Sequence, residues 1–183
     1  MKKIYFIRHA KSLRDGITPD FNRVLAPRGK SDAKMMAARL KARGIKPDLI
    51  ISSSAKRTRK TAKIMAKTLG FKGKIKLEKS LYACEIEDYM NIIHAIKNKY
   101  KSVFIVGHND EITKLCEYLS KERVGHIPTS GVYAIGFDVK KFVDINEFLQ
   151  KYHFVYYDGR ELKESIKADL QEGLQYVINS IEG

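Results

Sequence analysis

The stretch Lys2–Ser12, KKIYFIRHAKS, decides how the rest of the chain is read. Its four apolar, β-prone residues Ile4–Ile7 run without interruption and stop at Arg8 and His9. So short an apolar run, without alternation, marks a strand buried on both faces, as in a parallel sheet. It delivers a cation and an imidazole to its carboxyl end, where open α/β sheets place their ligands.

Two further runs behave the same way. Leu49-Ile50-Ile51 follows Pro47-Asp48 and ends in Ser52-Ser53-Ser54, and Ser102–Val106 (SVFIV) ends in Gly107-His108-Asn109. Helical spacing fills the intervals. From Arg28, residues Ala33, Met36, Ala37 and Leu40 recur at three to four, with Gly44 as a stop. Ala55–Leu69 turns Thr58, Ala62, Met65, Ala66 and Leu69 inward and ends at Gly70, with Lys56, Arg57, Arg59 and Lys60 near its start. A third helix is expected over Leu81–Asn98 and a fourth over Asp110–Leu119. Residues 71–80 alternate apolar and charged, as an edge strand or ordered loop does. The long loop Lys11–Pro27 is expected to be functional or mobile.

Gly131–Asp138 and Tyr152–Tyr157 read as aromatic, β-branched strands around a short helix near Asp144–Leu149. In the tail, Leu162, Ile166, Leu170, Leu174, Val177, Ile178 and Ile181 keep helical spacing. Residues 159–183 are therefore expected to form a C-terminal helix packed on a single domain spanning 1–183, or else an amphipathic helix for a partner. Strand-helix alternation predicts an α/β fold: a three-layer sandwich with a mostly parallel central sheet and helices on both faces.

The 183 residues suffice to bury a core, and 44% hydrophobic with 31% charged residues suits a soluble globular chain. The net charge of +14 is uneven: residues 1–80 carry about +18 and residues 81–183 about −4. A phosphorylated ligand or nucleic acid fits this field, as do lysine-rich solvated helix faces. Cys84 and Cys116 lack zinc-type spacing and predict no disulfide framework, which fits a reducing compartment. Arg8 and His9 cut the first apolar run well below a signal sequence, and no run reaches the roughly 18 apolar residues of a membrane span. A cytoplasmic protein is expected.

If the three strand ends meet, His9, His108, Arg8 and Arg57 share one crevice. Two imidazoles beside two guanidiniums repel a metal but suit a phosphoryl group, and Arg57 adds the positive end of a helix. An imidazole in line with the leaving group then acts as a nucleophile. Each residue alone has a plainer explanation, as a satisfied loop histidine or a solvated helix charge. His94, His126 and His153 lack such a setting and read as structural.

The strand-then-RHA segment, DFNRVLAPRG, IISSSAKRTRKTA and VFIVGHN together resemble the histidine phosphatase superfamily, and most the small SixA-type phosphohistidine phosphatases. The matching residues are Arg8-His9-Ala10; Asp20, Arg23, Leu25 and Gly29; Ser53, Arg57, Thr61 and Ala62; and Gly107-His108. The resemblance implies a phosphoglycerate-mutase-like fold, His9 as the phosphorylated nucleophile, and Arg8, Arg57 and His108 on the phosphoryl oxygens. Asn109 and Arg23 join them as binding residues, with no metal and no cofactor. Larger relatives carry a glutamate acid where this chain has Ala83. Glu85 is an imperfect substitute, and Asp20 is the preferred proton donor or water-activating base, unless it is a plain turn aspartate beside Pro19.

An alkoxide leaving group needs a proton in the transition state, whereas imidazole leaving from phosphohistidine needs far less help. The expected function is therefore removal of phosphate from phosphohistidine in proteins. A phosphatase of a small phosphoester, such as a phosphosugar or nucleotide, is the alternative. The third reading is a basic protein binding RNA or an anionic partner through residues 28–79, which the lack of interleaved aromatics disfavours. No nucleic acid or membrane partner is expected.

Overall fold

A computed structural model describes residues 1–146 and the backbone of two later strands, at residues 150–156 and 162–165. The buried run of the opening segment is strand β1 (Lys2–Arg8), at the middle of a seven-stranded sheet. It is followed by α1 (Pro27–Ala42), β2 (Leu49–Ser53), α2 (Lys56–Leu69), β3 (Lys76–Glu78), α3 (Ile86–His94) and β4 (Ser102–Gly107). Then come α4 (Glu111–Ser120), β5 (Val132–Phe137), β6 (Gln150–Tyr156) and β7 (Leu162–Ser165). The strand order is β3-β2-β4-β1-β5-β6-β7.

β1 lies parallel to β4, and β4 and β3 lie parallel to β2, whereas β1–β5, β5–β6 and β6–β7 pair antiparallel. Five of the seven strands thus run the same way, and β1, β2 and β4 end on one edge. Alternate residues of β1 face opposite layers. Ile4 and Phe6 pack with Tyr89 and Ile93 of α3 and Leu115 of α4. Tyr5 and Ile7 pack with Met36 and Leu40 of α1 and Ala62 and Met65 of α2. The result is the expected three-layer sandwich.

The helix stops act as expected. Gly44 and Gly70 take left-handed φ of 69° and 73°, open to glycine without a Cβ clash. The third helix is shorter than its apolar spacing suggested. Glu85 is its N-cap, with the Asp88 carboxylate accepting from the Glu85 N–H, and Ala83 before it has φ 54°, which interrupts any helix from Leu81. Leu81 is buried without being helical.

The tail reading needs correcting at its start. Leu162–Ser165 is a strand paired with β6, from Tyr156↔Leu162 to His153↔Ser165, so the aromatic strand does not end the sheet as an open edge. Residues 159–161 and 166–183 lie outside the described residues. Of the short helix expected near 144–149, the structure shows a 3-10 turn at Phe142–Asp144, and residues 147–149 lie outside the described residues. Among the described residues no helix is long and apolar enough to cross a membrane.

Candidate active site

The shared strand edge opens into a cleft of about 370 Å³. Arg8, His9, Asp20, Arg23, Arg57, His108 and Asn109, all seven residues singled out from the sequence, line it. β1 delivers Arg8 and His9, the start of α2 delivers Arg57, and β4 delivers His108. The glycines and threonine of the motifs have structural reasons. A Cβ on Gly29 would lie 2.1 Å from the Lys11 carbonyl oxygen, and one on Gly107 would lie 2.2 Å from the Tyr89 hydroxyl. Thr61, one turn beyond Arg57 on α2, accepts from the Ala10 N–H at 3.0 Å and so ties the segment after His9 to the helix.

The loop after His9 folds back on itself. Ser12 and Leu25 pair antiparallel, and the Ala26 N–H donates to the Lys11 carbonyl at 2.9 Å. Asp20 thereby reaches over the cleft. Its carboxylate accepts from Arg57 Nη2 at 2.8 Å, Arg23 Nη2 at 2.6 Å and Tyr82 OH at 3.0 Å. Partial burial pushes this carboxyl up, but the donors outweigh it and hold the group down at about 2.

Arg57 decides the protonation of both imidazoles, because a guanidinium donates and never accepts. Its Nε donates to His9 Nε2 at 3.2 Å, and its Nη2 to His108 Nδ1 at 3.1 Å. His9 Nδ1 then carries the proton, donated to the Ala10 carbonyl at 2.9 Å, and the Nε2 lone pair is the one that accepts from Arg57. His108 carries its proton on Nε2 and donates it to Ser53 Oγ at 2.9 Å. Burial first, then Arg57 and other charges, lower His9 to about 4 and His108 to about 3. Both rings are neutral at neutral pH. Their centroids stand 5.4 Å apart.

Arg8 contributes differently. Nη1 lies 2.6 Å from His126 Nε2 and donates to the Ile127 carbonyl at 2.7 Å, while its Nε is buried without a partner. His126, read from the sequence as structural, is thus an exposed residue that steadies Arg8. An unpartnered buried donor on a cation is costly unless a ligand supplies an acceptor.

Several lining residues escaped the sequence reading. Lys11, Arg14 and Thr129 line the cleft, and Tyr82 lies with its ring centroid 5.6 Å from that of His108 and 5.0 Å from that of Phe21. Only the turn before α3 brings Tyr82 there, and no local spacing signals it. Ala83 lines the cleft, so the position of the relatives' acid is inside it and is apolar. Glu85 caps α3 and is not among the lining residues, which removes it as the substitute acid. Glu111, at the first turn of α4, does line the cleft, with Oε2 buried and unpartnered.

The strand ends and the histidine-guanidinium cluster define a phosphoryl-handling α/β protein. Residues 4–124 match the model of the histidine phosphatase superfamily (branch 1), and the chain belongs to that superfamily. It is 38% identical over 68 residues to the mitochondrial serine/threonine-protein phosphatase PGAM5 of Xenopus tropicalis, which is 37% of this chain and 24% of that protein. The match spans at most about half the length of the curated relatives. Among solved structures, a protein assigned as the phosphohistidine phosphatase SixA of Agrobacterium tumefaciens superposes with a TM-score of 0.67 at 28% identity, over 74% of this chain and 92% of that one. A mycobacterial glucosyl-3-phosphoglycerate phosphatase shares the fold, with a TM-score of 0.63 at 14% identity, over 79% and 95%.

Proposed function

We propose that this protein hydrolyses phosphohistidine in proteins through a phosphohistidine intermediate on His9. The observation that carries the reading is the His9 Nε2 lone pair, unprotonated at neutral pH and bordered by Arg57 and His108. With the substrate ring protonated on its other nitrogen, Nε2 attacks phosphorus and the P–N bond to that ring breaks. The substrate imidazole leaves neutral, keeping its proton, and the phosphorylated His9 ring, still protonated at Nδ1, takes up the positive charge. Water then attacks phosphorus, the bond to His9 breaks, and inorganic phosphate departs with the water's proton shared between phosphate and solvent.

The unpartnered Nε of Arg8, and Arg57 once its Nε turns from His9 Nε2 to the substrate, neutralise the equatorial oxygens, a role that charge-assisted hydrogen bonds fill well. His108 spends its Nε2 proton on Ser53 and accepts from Arg57 at Nδ1, so it has no proton for a phosphoryl oxygen and serves by holding Arg57 in place. Asn109 donates from Nδ2 to the Ile127 carbonyl and so borders the same loop that holds Arg8. Arg23 holds Asp20, and Asp20 holds Arg57. At about 2, Asp20 is ionised and has no proton to give an alkoxide, so it serves as an orienting acceptor for the attacking water rather than as an acid. With Ala83 in place of an acid, the site favours P–N over P–O cleavage.

Incubation with a phosphohistidine peptide and rapid quenching is expected to trap an acid-labile phosphoryl group on the wild-type chain and none on His9→Ala. Undiminished turnover by His9→Ala would sink the mechanism. Far faster phosphate release from esters than from phosphohistidine or phospholysine would sink the substrate. A second reading, a small phosphoester in the same cleft, draws support from Glu111. Its Oε2, buried and without a partner, lines the same cleft as Ala83, where the carboxyl group, once it holds a proton, would pass it to a leaving alkoxide. Loss of ester turnover in Glu111→Gln, with phosphohistidine turnover kept, would favour it.

A further inference from the structure

Cations also line a second hollow, of about 270 Å³, outside the cleft. Its floor is Val24 and Leu25, and Lys30 of α1 borders it. The rest of its wall is Lys56, Arg59, Lys60 and Lys63, which recur at i, i+3, i+4 and i+7 along one face of α2. None of these five cations forms an ion pair among the described residues.

The stripe does nothing for the helix. Lys56 faces Lys60, and Arg59 faces Lys63, at the four-residue spacing where like charges repel. The cations also crowd the amino-terminal end of α2, where the helix dipole disfavours them, and the first turn holds no acid. Such an arrangement is complementary to an anion from outside. Its lining holds no aromatic ring on which bases would stack, which favours carboxylates over nucleic acid.

The hollow and the cleft are lined by neighbouring residues of the same two segments. Arg23 lines the cleft and the next residue, Val24, lines the hollow; Val24 is 51% exposed. On α2, Arg57 lines the cleft between Lys56 and Arg59 of the hollow. We infer that the hollow docks an acidic segment of the protein substrate while that substrate's phosphorylated side chain occupies the cleft. This rests on the phosphatase reading above.

Two synthetic peptides test it, each with one phosphohistidine, one flanked by a run of glutamates and the other by glutamines. At low salt the glutamate peptide is expected to show about tenfold higher kcat/KM, the scale a few exposed ion pairs supply. That ratio falls toward one in the variant Lys56→Gln/Arg59→Gln/Lys60→Gln/Lys63→Gln. The milder Arg59→Gln/Lys63→Gln gives an intermediate ratio and serves if the fourfold variant does not fold. Equal cleavage of both peptides by the wild type, or a ratio unchanged in the variants, overturns the inference.

Fluorescence anisotropy of the unphosphorylated glutamate peptide separates docking from catalysis. Binding that the variants lose, with neither phosphopeptide cleaved, upholds the docking site and overturns the phosphatase reading. Cleavage without any binding difference does the reverse. Tighter binding of polyuridylate than of the glutamate peptide overturns the acidic-segment assignment in favour of RNA.

Discussion

The two faces of α2 carry the same kind of residue and put it to opposite use. On the inner face Arg57 is 5% exposed and each of its nitrogens is committed, to His9, His108 and Asp20. On the outer face Lys56, Lys60 and Lys63 are exposed and form no ion pair among the described residues. A cation held by several partners in a water-poor cleft is preorganised, and its field is strong there. A cation on a solvated face is screened and contributes little unless an anion arrives.

The sharpest way to break this contrast is to remove the inner cation. Arg57→Ala is expected to lower kcat/KM on a phosphohistidine peptide by roughly 10²–10³, about 3–4 kcal/mol, as loss of one preorganised donor does. A loss of less than tenfold would place Arg57 with the outer cations.

The next effect is on stability against pH. His9 and His108 sit at about 4 and about 3 in the fold, against an ordinary value near 6.5 in the unfolded chain. Below about pH 6.5 the unfolded chain therefore binds more protons than the folded one, and folding weakens as pH falls toward 4. The unfolding free energy from urea titrations is expected to fall between pH 7 and pH 5 by an amount on the order of a few kcal/mol in all, with a smaller fall for His108→Gln. An unchanged stability would count against the neutral imidazole pair.

Thr61→Val keeps the shape of the inner face but leaves the Ala10 N–H without its acceptor. A cost of about 1–3 kcal/mol in urea unfolding is expected, together with reduced turnover, because the segment after His9 loses its tie to α2. The smallest effect is on the outer face. Lys60→Gln relieves repulsion with Lys56 and is expected to raise stability by about 0.2–0.5 kcal/mol, seen as a slightly higher urea midpoint.

Much of the architecture was legible in the chain because buried strands and core-facing helix stripes are local patterns. The runs at Ile4–Ile7, Leu49–Ile51 and Ser102–Val106 became β1, β2 and β4, and the stripes ending at Gly44 and Gly70 became α1 and α2. The misreadings came where a distant partner overrides local spacing. Leu162–Ser165 shows helical periodicity in the sequence but pairs with β6, and the turn at Ala83 shortens α3. His126 looked unremarkable because its partner, Arg8, is 118 residues away.

The sequence by itself determined that a histidine and an arginine end one buried strand, that a second histidine ends another, and that an arginine opens the helix after a third. Parallel strands bring such ends to one edge for reasons of chain direction alone. Only the tertiary structure decided what each residue does there. Arg57 can act on both imidazoles because three strand ends close around it, and its inability to accept a hydrogen bond then determines both tautomers. The same closure holds the Asp20 carboxyl below its ordinary range by surrounding it with donors, and it divides the cations of α2 between a buried cleft and a solvated face. Those outcomes depend on burial and on partners distant in sequence, which composition and spacing do not carry.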